Sequence, residues 1–218
     1  MPRKLLYRSK VLPYHVVNQV NNREWFHLAQ EDAWQLLTRE CFGISLLCGA
    51  EIHAFVMMSN HFHMLVSTPH LDLGETMRCF GGSVTQSYNR RSGRVGHLFR
   101  GRYQWSLIDS PLYYAHATKY IYRNPVRAGI AKTVEEYPYS TLHGLMGHSH
   151  LSFPLYVPPN QLSSSLVPQQ SEHLLRWLNT PFKVEDQEAI RKGLRRRIFE
   201  LPKVGLNRSP SPLTLNLA

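Results

Sequence analysis

Two histidines, His61 and His63, stand two residues apart in an otherwise apolar segment of the chain. In a β-strand, residues i and i+2 point to the same face, so both imidazoles lie on one side, about 7 Å apart along the strand. Phe62 and Met64 alternate with them and point to the opposite face, where they can anchor the strand in a core. Two imidazoles on one face can bind one divalent ion at about 2.0–2.2 Å each. The spacing therefore predicts a metal site on a rigid strand.

Such a site would be open rather than closed around its ion. Two histidines are too few for a structural zinc site, and none of the three cysteines, Cys41, Cys48 and Cys79, stands near them in the sequence. An ion with free coordination positions can bind water and a substrate oxygen, which favours a catalytic ion. The alternative is that both histidines are partly buried and only hydrogen-bond to the backbone.

A second group of polar residues has helical spacing. His116, Tyr120 and Asn124 stand four residues apart in one segment, so they form a single stripe of a helix. An imidazole, a phenol and an amide make a poor core face but a good face for a functional site. The alternative is that Tyr120 covers the edge of the core and keeps its hydroxyl in water.

The chain is strongly basic. It contains 25 lysines and arginines against 15 acidic residues, which gives a formal net charge of +10. This balance favours an anionic partner, either nucleic acid or a membrane surface. Because no run of about 18 apolar residues and no export signal is visible, we expect no membrane partner and a cytoplasmic, nucleoid-associated location.

Arginines are concentrated between residues 90 and 105, where aromatic residues are interleaved with them. Arginine matches phosphate oxygens and aromatic rings can stack on unpaired bases, so this segment indicates contact with nucleic acid. The predicted DNA-binding residues are Arg90, Arg91, Arg94, Arg100, Arg102 and Tyr103. The alternative is a solvated basic loop.

Hydrophobic periodicity predicts the order strand, helix, strand, strand, helix, strand, helix. These elements cover residues 14–20, 31–41, 48–58, 61–67, 72–90, 102–109 and 111–124. Ser110 is a good N-cap for the last helix, and Pro125 is expected to end that helix at Asn124. The first six elements form a split βαβ arrangement, the ferredoxin-like plan of an α+β fold, with a four-stranded antiparallel sheet and two helices on one face. The third helix is an addition to the ferredoxin-like plan.

The composition changes after Gly147, where proline and serine become frequent. We therefore expect a first domain over residues 1–147. Residues 148–218 are expected to contain a linker and a basic C-terminal helix.

Three segments together resemble a known family. NHFHMLV resembles the histidine–hydrophobic–histidine motif of single-tyrosine HUH endonucleases, and KYIYRNPVRAG resembles their tyrosine helix. With GHLFRGRYQ between them, the chain is most similar to the REP-associated tyrosine transposases, relatives of the IS200-like transposases. The resemblance extends roughly from Tyr14 to Tyr139.

This resemblance implies an HUH endonuclease fold and a transposase that uses Mg²⁺ or Mn²⁺. Such an enzyme cuts and rejoins single-stranded DNA near palindromic, REP-type hairpins through a 5′-phosphotyrosine. It implies that His61 and His63 bind the metal and that Tyr120 is the nucleophile. In the insertion-sequence relatives a glutamine one turn after the tyrosine completes the metal site, and the corresponding residue here is Asn124. The resemblance leaves open whether His116 contacts DNA or accepts the proton of Tyr120.

Two other functions compete with this interpretation. A non-catalytic descendant would bind hairpin DNA as a repressor or architectural protein. A metal-dependent phosphodiesterase would act on small substrates and use Tyr120 only for packing, although the positive charge disfavours it. The sequence leaves the oligomeric state open between monomer and homodimer.

Overall fold

The computed structural model describes residues 6–156, 166–168 and 170–201. In this part of the chain, four strands form an antiparallel sheet with the spatial order β2-β3-β1-β4. The strands are β1 (Tyr14–Gln19), β2 (Glu51–Met57), β3 (His61–Ser67) and β4 (Gln104–Leu107). The α-helices are α1 (Gln30–Cys48), α2 (Leu73–Ser92), α3 (Pro111–Arg127), α4 (Thr141–Leu145), α5 (Ser171–Asn179) and α6 (Val184–Gly193). The element order and the strand order confirm the predicted ferredoxin-like arrangement.

The sheet separates two hydrophobic layers. Phe62 and Met64 of β3 belong to the layer that includes the buried residues of α1 and α2. Leu65 belongs to the other layer, together with buried residues of α3. Because side chains alternate along a strand, His61 and His63 lie on the α3 face with Leu65. The extra helix therefore covers the face that carries the histidines. None of the helices in the described ranges is long and apolar enough to cross a membrane.

Most elements differ in length from their predictions; β2, for example, begins at Glu51 rather than at residue 48, which belongs to α1. α1 runs to Cys48 rather than ending at Cys41, because buried residues continue at helical spacing through Ile44. Gly49 then ends α1 in the left-handed conformation (φ 62°), which glycine adopts without steric cost. β4 is shorter than predicted and has four residues.

α3 begins as predicted, with the Ser110 side chain as its N-cap. It does not end at Asn124, and that prediction was wrong, because the helix continues through Pro125. Pro125 has no N–H, so it cannot donate the helical hydrogen bond to the carbonyl group of Ile121, one turn earlier. The Asn124 side chain compensates in part: its Nδ2 donates to Tyr120 O at 2.8 Å and lies 3.5 Å from Ile121 O.

The C-terminal part of the chain differs from the single basic helix that was predicted. It forms α5 and α6, and α6 ends at Gly193, so the arginines at 195–197 follow the helix instead of lying on it. The backbone leaves the helix because it pairs with the edge of the sheet. Leu107 N donates to Arg197 O at 2.9 Å, and Phe199 N donates to Leu107 O at 2.8 Å.

These C-terminal helices pack against the ferredoxin-like unit. Arg123 of α3 donates from Nη1 to Leu178 O at 2.8 Å and to Asn179 O at 2.6 Å. The division between residues 147 and 148 stays a prediction. Parts of the predicted second unit lie outside the described residues, namely 157–165, 169 and 202–218.

Candidate active site

A cleft of about 560 Å³ lies against the histidine-bearing face of the sheet. Its lining includes side chains from β1, β3, α3, α6 and the segment that precedes β4. The histidines and the tyrosine of the cleft are His15, His61, His63 and Tyr120. The arginines of the cleft are Arg100, Arg102, Arg127, Arg191 and Arg195. The structure therefore brings the histidine pair of β3 and Tyr120 of α3 into one cleft.

His61 and His63 stand side by side on β3, with ring centroids 5.1 Å apart. Asn60 sets the tautomer of His61, because its Oδ1 can only accept a hydrogen bond and lies 2.7 Å from Nδ1. Nδ1 of His61 therefore carries the proton. The lone pair that a metal ion requires is on Nε2.

His15 is a site residue that the sequence analysis missed. Its Nε2 lies 3.0 Å from Nδ1 of His63, and the two buried rings are stacked with an interplanar angle of 15°. In the antiparallel register His15 pairs with Leu65, so His63 occupies the diagonal position on the same face. In the tautomer in which Nδ1 of His63 donates this hydrogen bond, Nε2 of His63 has the lone pair that a metal ion requires.

All three imidazoles are held in the neutral form. Burial lowers the pKa of His15 to about 3 and lowers the pKa of His63 well below its ordinary value. Burial, assisted by the positive charge of Arg127, lowers the pKa of His61 to about 4. A metal ion binds only neutral imidazole, so at neutral pH these rings need not lose a proton before they bind one.

Tyr120 approaches the histidines edge-on. Its ring centroid lies 5.8 Å from that of His63 and 6.2 Å from that of His15. The guanidinium of Arg127 lies 5.6 Å from the Tyr120 ring centroid. Burial raises the pKa of Tyr120, and the positive charges of the neighbouring arginines act in the opposite direction. The effect of burial is the larger one, so the pKa stays above its ordinary value and the phenol is protonated at neutral pH.

Asn124 is not among the described residues that line the cleft. It is fully buried, and its side-chain amide is engaged within α3. Nδ2 donates to Tyr120 O at 2.8 Å, and Oδ1 accepts from Arg127 Nη2 at 3.0 Å. These contacts let Asn124 position both Tyr120 and Arg127, and its role as a metal ligand stays a prediction.

His116 is also absent from the cleft lining in the described part of the chain. Its ring packs against Phe182, with 6.0 Å between centroids. Burial, assisted by the positive charge of Lys119, lowers the pKa of His116 to about 4. The structure therefore does not bring His116 to the histidine pair, and its catalytic role stays a prediction.

The predicted DNA-binding residues fall into two groups. Arg100 and Arg102 line the cleft. The same two residues border a groove along α2, and Tyr103 lines this groove as well. Arg100 and Arg102 therefore stand where the cleft meets the groove, and Tyr103 lies in the groove.

Arg90, Arg91 and Arg94 form the second group. Arg90 and Arg91 are exposed in the last turn of α2, and Arg94 forms an ion pair with Glu24 at 3.4 Å. None of the three belongs to the lining of the cleft or of the groove in the described structure. Their predicted contact with DNA stays a prediction.

The side chains of the cleft fit an open metal site. Among the described residues, no group of three or more His, Cys, Asp or Glu side chains could hold a metal ion. The pair His61 and His63 would supply two nitrogens, and Gln19 and Gln104 add amide groups to the cleft lining. Two imidazoles with amide, water or phosphate oxygens suit a divalent ion that keeps exchangeable positions.

A ferredoxin-like sheet with a histidine pair on an inner strand and a tyrosine from an added helix defines the HUH endonuclease fold. The sequence model of the family described as "Transposase IS200 like" matches residues 8–124, more than half of the chain. The protein therefore belongs to the IS200-like transposase family.

Two relatives support the resemblance found in the sequence. The REP-associated tyrosine transposase of Escherichia coli (strain K12) is 26% identical over 130 residues, which are 60% of this chain and 75% of that protein. The solved structure of a REP-associated tyrosine transposase bound to a REP hairpin matches with a TM-score of 0.57 at 22% identity. That match covers 77% of this chain and 100% of the other, and it confirms the fold.

Proposed function

We propose that this protein is a metal-dependent transposase and endonuclease of single-stranded DNA. It would bind palindromic hairpins and would cut and rejoin DNA through a 5′-phosphotyrosine. The observation that carries the proposal is the position of Tyr120 in a cleft lined by arginines, where its ring centroid lies 5.8 Å from that of His63. A nucleophile, a ligand pair for a metal ion and positive charge for the phosphate are the parts that phosphoryl transfer requires.

His61 and His63 would hold Mg²⁺ or Mn²⁺ through the two Nε2 atoms. When bound, the ion would polarise the scissile phosphate and offset its negative charge. His15 would act as a positioning residue, because its hydrogen bond of 3.0 Å orients the His63 ring. Nitrogen donors favour Mn²⁺ over Mg²⁺, which prefers oxygen ligands.

Tyr120 would supply the attacking oxygen. Because burial raises its pKa, the phenol would lose its proton only as its oxygen attacks phosphorus, and Arg127 beside the ring favours the ionised form. Attack on phosphorus would form the bond to the tyrosine oxygen and break the bond to the 3′-oxygen, which leaves as a 3′-OH after taking up a proton. One phosphodiester replaces another, so attack by a 3′-OH can reverse the step and rejoin strands.

The DNA partner would be a hairpin with single-stranded flanks. The relative whose structure is known is bound to a REP hairpin. Arg100 and Arg102 border both the cleft and the groove along α2, so one strand can contact both regions. Their guanidinium groups suit backbone phosphates, which position DNA without reading its sequence.

An oligonucleotide assay separates this function from its alternatives. The substrate is a hairpin with single-stranded flanks, taken from repeated palindromes beside the gene and labelled on the 3′ side of the cut, with Mn²⁺ present. Label that stays on the protein through denaturing electrophoresis supports the proposal. Binding without transfer would favour a repressor or architectural protein. Cleavage without a covalent adduct would favour a phosphodiesterase.

A further inference from the structure

The C-terminal extension (residues 170–201 of the described chain) reaches the active-site cleft. It lies beyond residues 8–124, the segment that matches the transposase family. Nevertheless, Arg191 and Arg195 line the cleft together with Tyr120. Together with Arg127 at the end of α3, these two residues mean that three of the five cleft arginines come from outside the matched segment.

Buried contacts hold this extension in place. Its apolar side chains share the hydrophobic layer of α3, and they include Trp177, Leu178, Ile190, Leu194 and Phe199. Its backbone is joined to the edge of the sheet by the two hydrogen bonds with Leu107, at 2.9 and 2.8 Å. A close-packed interface therefore sets the position of the two arginines.

Gly193 permits the turn between Arg191 and Arg195. A Cβ atom at this position would lie 2.6 Å from the Phe199 ring and 2.8 Å from the Glu200 carbonyl oxygen. Because Phe199 is fully buried, its ring has little room to move aside. The chain can fold back over the end of α6 only because residue 193 has no side chain.

Glu188 orients Arg191 within the cleft. Arg191 Nε donates to Glu188 Oε2 at 2.8 Å, and Nη2 donates to Oε1 at 2.7 Å. This two-point contact keeps the planar guanidinium in one orientation, while 34% of the Arg191 side chain remains exposed.

We infer that Arg191 and Arg195 form a phosphate-binding subsite that holds single-stranded DNA next to Tyr120. The inference rests on the proposed function, because it assigns one part of the DNA site. Guanidinium groups match phosphate oxygens, and phosphate contacts set the register of a bound strand. The subsite therefore fixes which phosphodiester lies at the Tyr120 hydroxyl.

Matched pairs of substitutions test this subsite. The double variant Arg191→Gln with Arg195→Gln removes two charges from the cleft. The control, Lys192→Gln with Arg196→Gln, removes two charges from neighbouring side chains that are 65% and 52% exposed and do not belong to the described cleft lining. Both variants and the wild-type protein are titrated with the hairpin oligonucleotide across a series of salt concentrations.

The cleft variant should bind at least tenfold more weakly than the control at low salt. Its slope of log affinity against log salt should be shallower than the wild-type slope by about 1.4, because each lost single-strand phosphate contact removes about 0.7. The control should keep the wild-type slope. Equal slopes in the two double variants would overturn the subsite. If the double variant does not fold, Arg191→Gln alone should reduce the slope by about 0.7.

The binding readout keeps the two proposals apart. If the wild-type protein forms no adduct but its salt slope depends on Arg191 and Arg195, the subsite stands and the proposed cleavage fails. If an adduct forms but the cleft and control variants share one slope, the cleavage stands and the subsite fails. Arg191→Lys keeps the positive charge but loses the planar guanidinium that can bind a phosphate at two points. The variant should therefore retain most of the salt slope of binding, while adduct formation slows at least tenfold.

Discussion

The two faces of the sheet use the same strand in different ways. On the α1 and α2 face, β3 contributes Phe62 and Met64 to an apolar layer, and both side chains are completely buried. On the α3 face, the alternate positions carry His61 and His63 beside Tyr120. Burying apolar side chains stabilises the fold, whereas burying an imidazole has a desolvation cost unless its nitrogens are bonded.

The hydrogen bonds of the histidine face show how this cost is limited. Asn60 and His15 each bond one nitrogen of an imidazole, at 2.7 Å for His61 and 3.0 Å for His63. The remaining nitrogens can bind a ligand. Along β3, the α1 and α2 face is therefore wholly apolar, whereas the α3 face combines an apolar layer with the side chains that could bind a ligand. Substitutions on the two faces should separate stability from activity.

The largest expected effect is the loss of cleavage in His63→Ala or His61→Ala. Either substitution removes one of the two imidazoles that would hold the metal ion, while the basic surface that would bind DNA is unchanged. Adduct formation should disappear, and hairpin affinity should stay within a few-fold of the wild-type value. A chelator should reproduce the loss, and full activity in protein shown by elemental analysis to be metal-free would exclude the metal role.

On the opposite face, Phe62→Ala should reduce stability instead. The side chain is fully buried between Phe55, Phe80 and Phe99, so its removal leaves a cavity and should lower the free energy of unfolding by about 3–5 kcal/mol. Urea denaturation measures this change. Adduct formation per folded molecule should be preserved. A loss below about 1 kcal/mol would mean that this layer repacks easily.

A smaller effect is expected for His15→Phe. The ring still fills the buried position, but the hydrogen bond that orients His63 is lost. Affinity for Mn²⁺, measured by calorimetry without DNA, should fall about 10–100-fold. His53→Gln is the control, because His53 is buried but does not belong to the described cleft lining. Equal Mn²⁺ affinities in His15→Phe and the wild type would show that His15 does not position the ligand.

The smallest effect concerns acid stability and His53. This buried imidazole lies 2.8 Å from Ser67 Oγ and 3.3 Å from the Tyr114 hydroxyl, and burial lowers its pKa to about 3. The unfolded chain binds a proton here more readily, so the stability contributed by His53 is present above about pH 6.5 and is lost as the pH falls toward 3. Between pH 7 and 5 the free energy of unfolding should fall less in His53→Gln than in the wild type, by roughly 1–2 kcal/mol. An unchanged loss in urea titrations at the two pH values would contradict this.

Local periodicity was enough to predict that His61 and His63 share one face of β3. Alternation in β3 separates Phe62 from His61 and His63 without any knowledge of the fold. The four-residue spacing placed Tyr120 on one stripe with Asn124, and both residues do contact Arg127. The same spacing could not show that His116 turns toward Phe182, because that contact involves the C-terminal extension.

The residues that sequence reasoning missed depend on non-local contacts. Alternation along β1 puts His15 on one face with Val17 and Gln19, and this pattern was the only sequence signal for His15. Its meaning required the register that puts it diagonally opposite His63. Arg191 and Arg195 belong to the predicted basic C-terminal segment, but no local signal placed them at the cleft, since they reach it through the packing of the extension on α3 and its backbone pairing with β4.

The central claim is that Tyr120 is the nucleophile, and a pair of tyrosine substitutions tests it most directly. Tyr120→Phe removes the hydroxyl beside the histidine pair. Tyr122→Phe removes a buried hydroxyl that lies 3.0 Å from Thr141 Oγ1 and is not part of the described cleft lining. Each variant is incubated with hairpin DNA labelled on the 3′ side of the cut, in Mn²⁺, and is then run on a denaturing gel.

The wild-type protein and Tyr122→Phe should carry the label through the gel. Tyr120→Phe should bind the hairpin with similar affinity but carry no label, because phenylalanine offers no nucleophile. A labelled adduct on Tyr120→Phe, together with its loss in Tyr122→Phe, would contradict the assignment of the nucleophile.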